Sequence, residues 1–334
     1  MSIRRTTRRA PAKPELRIGI SGWTYPPWRG SFYPPDLLQR EELAYAARQV
    51  SSIEINGTFY SLQTPASYGS WHDRTPPDFV FAVKGPRYLT HVRRLKDPLV
   101  PLANFFASGV LRLAGKLGPI LWQLPPSLRF DAPRLDAFLS LLPRDSSAAL
   151  TLARQHDRKV AKPWLQPGAR RALRHALEVR HDSFCCREFI TLLRRHRVGL
   201  VVADTAGKWP FLEDITADFV YVRLHGDAEL YVSGYTAGAL RTWARKIRAW
   251  WRGTNPAGAR LMDTPAPRRA GGRAVFTYFD NDVKVRAPYD AKTLAHMLRR
   301  GPQPGAPPPL ARVQEVARTR WPAFRRAAPK LPAP

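Results

Sequence analysis

The fold this sequence predicts is α/β, a closed (β/α)8 barrel of the TIM type over residues 17–300, with basic tails at 1–16 and 301–334. Three observations predict it. Eight short β-rich runs recur along the chain. Amphipathic helical patterns stand between most of them, and a parallel crossover needs a dozen or more residues. No glycine-rich GxGxxG turn follows the first run, which sets aside an open dinucleotide-binding sheet. Eight units in about 280 residues fit a closed barrel better than a doubly wound sheet.

The predicted strands are RIGISGW (17–23), SSIEING (51–57), FVFAVKG (79–85), GPILWQL (118–124), HALEVRH (175–181), VGLVVAD (198–204), DFVYVRLHG (218–226) and AVFTYFD (274–280). A helix is expected after each. The clearest are 36–50, with Leu37, Leu38, Tyr45 and Val50 near a 3.6 period, and 131–142, with Asp131 as N-cap and Pro133 in its first turn. The same amphipathic pattern marks 187–197, 236–251 and 291–300. Segments 144–174 and 252–273 are longer than a barrel unit needs, carry Pro, Gly and Arg, and read as two surface insertions. The tails are rich in Arg, Pro and Ala without apolar periodicity and read as flexible.

A hydrophobic content of 44% with 11% aromatics is enough for a full core and excludes a wholly disordered chain. No apolar run reaches the ~18 residues of a membrane span, and no signal-peptide core opens the sequence, so the expected location is cytoplasmic and away from membranes. The two cysteines, Cys185 and Cys186, are adjacent. Neighbouring cysteines rarely bridge each other and lack zinc spacing, leaving packing residues or a redox-sensitive pair. The formal net charge is +28. The tails account for +5 each, counted over 1–14 and 302–334, which leaves +18 on the body. Such a surface asks for an anionic partner, with nucleic acid as one alternative and plain solubility as the other. Nothing identifies a protein partner.

In a barrel of this kind the working site lies at the C-terminal strand ends, where alternate residues point inward. Parity selects Glu54 and Asn56 on strand two, with Ile53 and Ile55 outward. It selects Lys84 on strand three, Gln123 on strand four, and Glu178 with Arg180 on strand five. Strand six ends in Asp204, strand seven offers Arg223 and His225, and strand eight ends in Asp280 and Asn281. Buried charges are costly unless paired or used. One reading makes them an internal network in which Glu54 and Glu178 neutralise Lys84, Arg180 and Arg223. The other makes the cations a clamp for phosphate or carboxylate oxygens, with Glu178 or Asp204 as base and His225 as acid. Glu178 and Asp204 with His225 could instead be metal ligands, although three cations among them argue against a bare di- or tri-metal cluster; which cofactor, if any, is bound stays open.

The first βα loop, GWTYPPWRGSFYPP (22–35), holds Trp23, Tyr25, Trp28, Phe32 and Tyr33 beside Arg29. Two Pro-Pro pairs stiffen it. The rings suit either stacking on a ligand or a small core sealing the barrel mouth.

GISGWTYPPWRGSFYP, IEINGTFYSL, FAVKGPRYLTH, KLGPILWQLPP, EVRHDSF and YVRLHG together resemble the YecE-like family, domain of unknown function 72, over roughly residues 17–300. The resemblance implies a TIM barrel and no established activity. It marks Ser21, Gly22, Trp23, Glu54, Asn56, Phe59, Tyr60, Lys84, His91, Gln123, Glu178, Arg180, His181, Arg223, His225 and Gly226. Two departures stand out: Phe184-Cys185-Cys186 where many members carry a Trp, and Asp280-Asn281 where an Asn-Asn pair is common. The leading expectation is an enzyme, a hydrolase or phosphoryl-group enzyme, acting on an anionic small molecule or nucleic acid that bears phosphate. A non-catalytic nucleic-acid-binding barrel and a sugar-acid isomerase or lyase are the alternatives.

Overall fold

The structure is a computed structural model and describes residues 14–282 and 284–299. Eight parallel strands close on themselves in sequence order: β1 (Leu16–Ser21), β2 (Ser52–Ile55), β3 (Val80–Lys84), β4 (Leu117–Gln123), β5 (His175–Glu178), β6 (Gly199–Asp204), β7 (Phe219–Leu224) and β8 (Ala274–Phe279). Pairing of Ile18 with Thr277 and Ile20 with Phe279 seals the ring between β1 and β8. Each expected run coincides with one strand, to within a residue at its start and a few at its end. Most of the expected tail residues lie outside the described residues.

The helices in chain order are α1 (Glu42–Gln49), α2 (Gly57–Tyr60), α3 (Pro65–Asp73), α4 (Leu99–Ala107), α5 (Ala132–Leu141), α6 (Ser146–Ala153), α7 (Arg187–Arg195), α8 (Ala237–Trp251) and α9 (Ala287–Arg299). Asp131 caps α5 as expected, accepting from the Arg134 amide at 3.0 Å. One expectation fails: no helix follows β6 among the described residues, and 205–218 crosses to β7 as irregular chain. Burial explains how it holds. Leu212 and Ile215 enter the core, while the Asp214 carboxylate accepts from the amides of Met262 and Asp263. The 252–273 insertion thus braces the missing layer. The other insertion, 144–174, contains α6, which packs on α4.

Two apolar layers follow from strand parity. Ile18, Ile20, Ile53, Ile55, Val83, Trp122, Leu177 and Val202 face the helices. Val80, Ala82, Leu121, Ala176, Val201, Ala203, Tyr221, Phe276 and Tyr278 fill the barrel interior. Inside, Ser52 Oγ donates to the Val80 carbonyl at 2.6 Å and lies 2.8 Å from the Tyr278 hydroxyl, so the plug beneath the mouth is already part polar. Among the described residues no helix is long and apolar enough to cross a membrane.

Candidate functional site

Continuing the interior parity one layer above Tyr221 and Tyr278 brings charged side chains together. Arg223, fully buried on β7, sits at their centre. Its Nε donates to Glu54 Oε2 at 3.1 Å, and Nη1 to Glu178 Oε2 at 2.7 Å. Its Nη2 donates to Glu54 Oε1 and Asp280 Oδ2, both at 2.8 Å. Burial alone would lower the Arg223 pKa, but Glu54, Glu178 and Asp280 outweigh it and hold the guanidinium charged. The expected anion clamp therefore does not include Arg223. Its donors are committed to three carboxyl groups from β2, β5 and the end of β8. The internal-network reading holds for this residue.

The carboxyl groups are satisfied in turn. Ser21 Oγ (2.6 Å) and the Tyr221 hydroxyl (2.6 Å) both donate to Glu54. Asn56 Nδ2 then donates to Ser21 Oγ at 2.8 Å. Glu178 Oε1 accepts from Gln123 Nε2 and from Arg180 Nε, each at 2.8 Å. Burial would raise the Glu178 pKa, but Arg223 and Arg180 win and pull it well below the carboxylate range. A carboxylate so firmly ionised is an anchor for cations and a poor proton carrier near neutral pH. Asp280 is treated alike by Arg223 and His225.

His225 is fully buried, with Nδ1 3.0 Å from Asp280 Oδ2 and Nε2 3.4 Å from Arg223 Nη1. Burial and Arg223 lower its pKa, so it stands neutral at pH 7. Arg180 spreads its guanidinium 3.8 Å above the Trp209 ring and donates from Nη2 to the Tyr231 hydroxyl at 3.2 Å. Lys84 differs from both arginines. Only 8% exposed, its Nζ lies 4.2 Å over the Phe59 ring and has no hydrogen-bonding or ion-pair partner among the described residues. Burial, then Arg223, lowers its pKa to about 8. His91, edge-on to Phe59, is pushed down to about 4 by burial, Lys84 and Arg180.

Four expected site residues lie elsewhere. Asp204 shares the parity of Leu200 and Val202 and turns toward α8, accepting from the Tyr235 hydroxyl (3.1 Å) and Trp243 Nε1 (3.3 Å). It is neither base nor ligand in this cluster. Asn281 donates to Asp290 Oδ2 at 2.9 Å and the Ser233 carbonyl at 3.0 Å, on the outer side of the ring. His181 Nδ1 accepts from the Ser183 amide at 3.0 Å and caps the short turn there. Trp23 packs edge-on against Trp71 of α3. The neighbouring aromatics do the same: Trp28, Phe32 and Tyr33 are buried against one another and Tyr45, so this loop is a satellite core.

Of the strand-eight pair Asp280 and Asn281, it is Asp280, with the interior parity of Tyr278, that joins the cluster, and Asn281 that leaves it. Trp209 and Tyr231 were missed because they sit in irregular segments, where no period points to them. Among the described residues no group of three or more His, Cys, Asp or Glu side chains is arranged to hold a metal. Cys185 is exposed and Cys186 partly buried, and both thiols are free.

The family described as protein of unknown function DUF72 matches residues 17–314, nearly the whole barrel. The chain belongs to that family. UPF0759 protein YecE of Escherichia coli strain K12 is 26% identical over 245 residues, spanning 72% of this chain and 84% of YecE. UPF0759 protein YunF of Bacillus subtilis is 27% identical over 116 residues, 33% of this chain, and the match spans only 40% of YunF. The crystal structure of a DUF72 family protein from Thermotoga maritima superposes with a TM-score of 0.62 at 24% identity, covering 85% of this chain and 99% of that one. A DUF72 family protein from Enterococcus faecalis gives 0.60 at 14% identity, covering 88% and 99%. These two structures bear on the fold.

Proposed function

We propose that this DUF72 barrel is an enzyme acting on a small anionic substrate, phosphate-bearing in the leading reading, bound at the C-terminal mouth by Lys84 and Arg180. One observation carries the reading. Arg180 and Arg223, the other two strand-end cations, are paired to carboxyl groups, whereas the Lys84 ammonium is nearly buried with no acceptor among the described residues. A desolvated charge without a partner is costly, and an incoming anion offsets that cost. Arg180, held flat on Trp209, supplies a second, oriented cation. His91 and His225, held neutral near pH 7 by burial and the neighbouring cations, leave the anion's charge to these two cations.

The test is a calorimetric titration with inorganic phosphate and pyrophosphate at pH 6.5. Lys84→Met keeps the stem and removes the charge. Tenfold or greater weakening in a folded Lys84→Met protein supports the reading; unchanged affinity overturns it.

A second reading, nucleic-acid binding away from the mouth, rests on a cleft of about 550 Å3 by the N-terminal ends of β4 and β5, lined by Leu117, Leu173, Trp164 and three arginines. Arg112 lies 4.8 Å over the Trp164 ring, and Arg154 and Arg171 form no ion pair among the described residues. Binding of a single-stranded oligonucleotide that falls steeply with salt and weakens in Arg154→Ala/Arg171→Ala supports it. Salt-independent binding, or none at low salt, removes it.

A further inference from the structure

We propose that Lys84 is a nucleophilic amine that forms an imine with the carbonyl carbon of a small anionic aldehyde or ketone, such as a keto acid or a ketose phosphate. This rests on the anionic-substrate reading above and divides the labour between its two cations. Arg180 carries a permanent charge and is planar, so it suits the substrate's anionic group. Lys84 is the cation that loses its proton at accessible pH.

The surroundings of Lys84 favour the free amine. Its stem leaves β3 into the barrel and its Nζ meets an aromatic face instead of an oxygen. The three nearby carboxyl groups, Glu54, Glu178 and Asp280, pull Lys84 toward its charged form, but they already accept from Arg223, and desolvation with that guanidinium outweighs them. A lysine meant only to hold an anion gains from staying charged. Here desolvation and Arg223 act the other way, as they do where lysines serve as nucleophiles. A neutral imidazole shares its aromatic neighbour. His91 packs edge-on to the same Phe59 ring at 5.0 Å, with Nδ1 engaged at 2.9 Å by Thr90 Oγ1 and Nε2 left over.

The step balances without a co-reactant. The ammonium gives its proton to water. The Nζ lone pair adds to the carbonyl carbon, and the carbonyl electrons move to oxygen, which is protonated. One amine hydrogen supplies that proton, and the carbinolamine then expels the oxygen as water with the second, leaving a C=N bond. The imine withdraws electrons from the adjacent carbon, which is the requirement for isomerase or lyase chemistry.

Borohydride trapping reads this directly, since hydride converts the imine to a stable secondary amine. The full chain is incubated at pH 7 with pyruvate, dihydroxyacetone phosphate or neutral glyceraldehyde, reduced, and mapped by peptide mass. With Lys84 at about 8, its free-amine fraction at pH 7 is roughly two-hundredfold that of an ordinary lysine. Labelling of Lys84 at least tenfold faster than exposed Lys162, with a pH midpoint near 8 and no excess label in Lys84→Met, is the expected result. Equal labelling of Lys84 and Lys162, or no Lys84 adduct with any of the three probes, overturns the imine. Phosphate binding that persists while no adduct forms overturns the imine alone and leaves the anion site standing. Adducts that form with glyceraldehyde while phosphate never binds overturn the anion-site reading and, with it, the division of labour proposed here.

Discussion

Replacing Arg223 by Met removes one guanidinium and leaves Glu54, Glu178 and Asp280 facing a space of low polarity. The loss is four charge-assisted hydrogen bonds between 2.7 and 3.1 Å. Each acceptor keeps some support: Glu54 has Ser21 and Tyr221, Glu178 has Gln123 and Arg180, and Asp280 has His225. Breaking a buried pair by removing one partner costs about 3–5 kcal/mol, and the retained bonds place this variant near 4 kcal/mol at pH 7.5. A domain stable by about 5–15 kcal/mol survives that, so the variant remains measurable. The pH dependence carries a sign. In the native protein Glu178 and Asp280 are depressed, so they contribute stability above their unfolded values near 4 that is lost as pH falls through the folded values. Without Arg223 burial raises them, and the variant sheds its penalty by taking up protons as pH falls. Urea unfolding followed by tryptophan fluorescence should therefore show a deficit that narrows by 1 kcal/mol or more, ~one pKa unit's worth, between pH 7.5 and 5. Arg223→Lys, keeping a point charge but not the fork, should fall between. A deficit under about 1 kcal/mol, or one identical at both pH values, would refute the central role given to Arg223.

Tyr221→Phe removes the 2.6 Å donor to Glu54 and should cost about 1–2 kcal/mol in the same urea assay, with phosphate affinity unchanged. Asp204→Asn should leave phosphate titrations untouched, because Asp204 faces Tyr235 and Trp243 of the outer layer; weakened binding would return it to the mouth. Lys84→Met should raise stability at pH 7, by up to about 3 kcal/mol, since the native folded pKa of about 8 lies below the unfolded lysine value. That gain should fall below about 1 kcal/mol by pH 10.5, where the folded amine is neutral and the unfolded one about half so, and urea midpoints at pH 7 and 10.5 check it.

The barrel was legible in the sequence because its signal is local. Each strand is a short β-branched run with a turn or helix pattern after it, and closure follows from counting them. The same period of two sent Glu54, Lys84, Gln123, Glu178, Arg223 and His225 inward, since Ile53, Ile55, Val222 and Leu224 mark the opposite, apolar face. That contrast fails on β6. Gly199-Leu200-Val201-Val202-Ala203 is apolar on both faces, as strands buried between barrel and helices are, so nothing in it shows which way Asp204 turns. At β8 the interior parity runs through Tyr278 to Asp280, and Asn281, one residue later, faces α9 instead. What only the tertiary structure decided is the ownership of the charges. Arg223 reads as a ligand-binding cation until β2, β5 and β8 deliver Glu54, Glu178 and Asp280 to it, from positions far apart in the chain. Pairing energies depend on distances of a few ångströms, which sequence separation does not encode. The same closure leaves Lys84 without an oxygen to bind, and that difference between two cations of one strand-end layer carries the functional proposal.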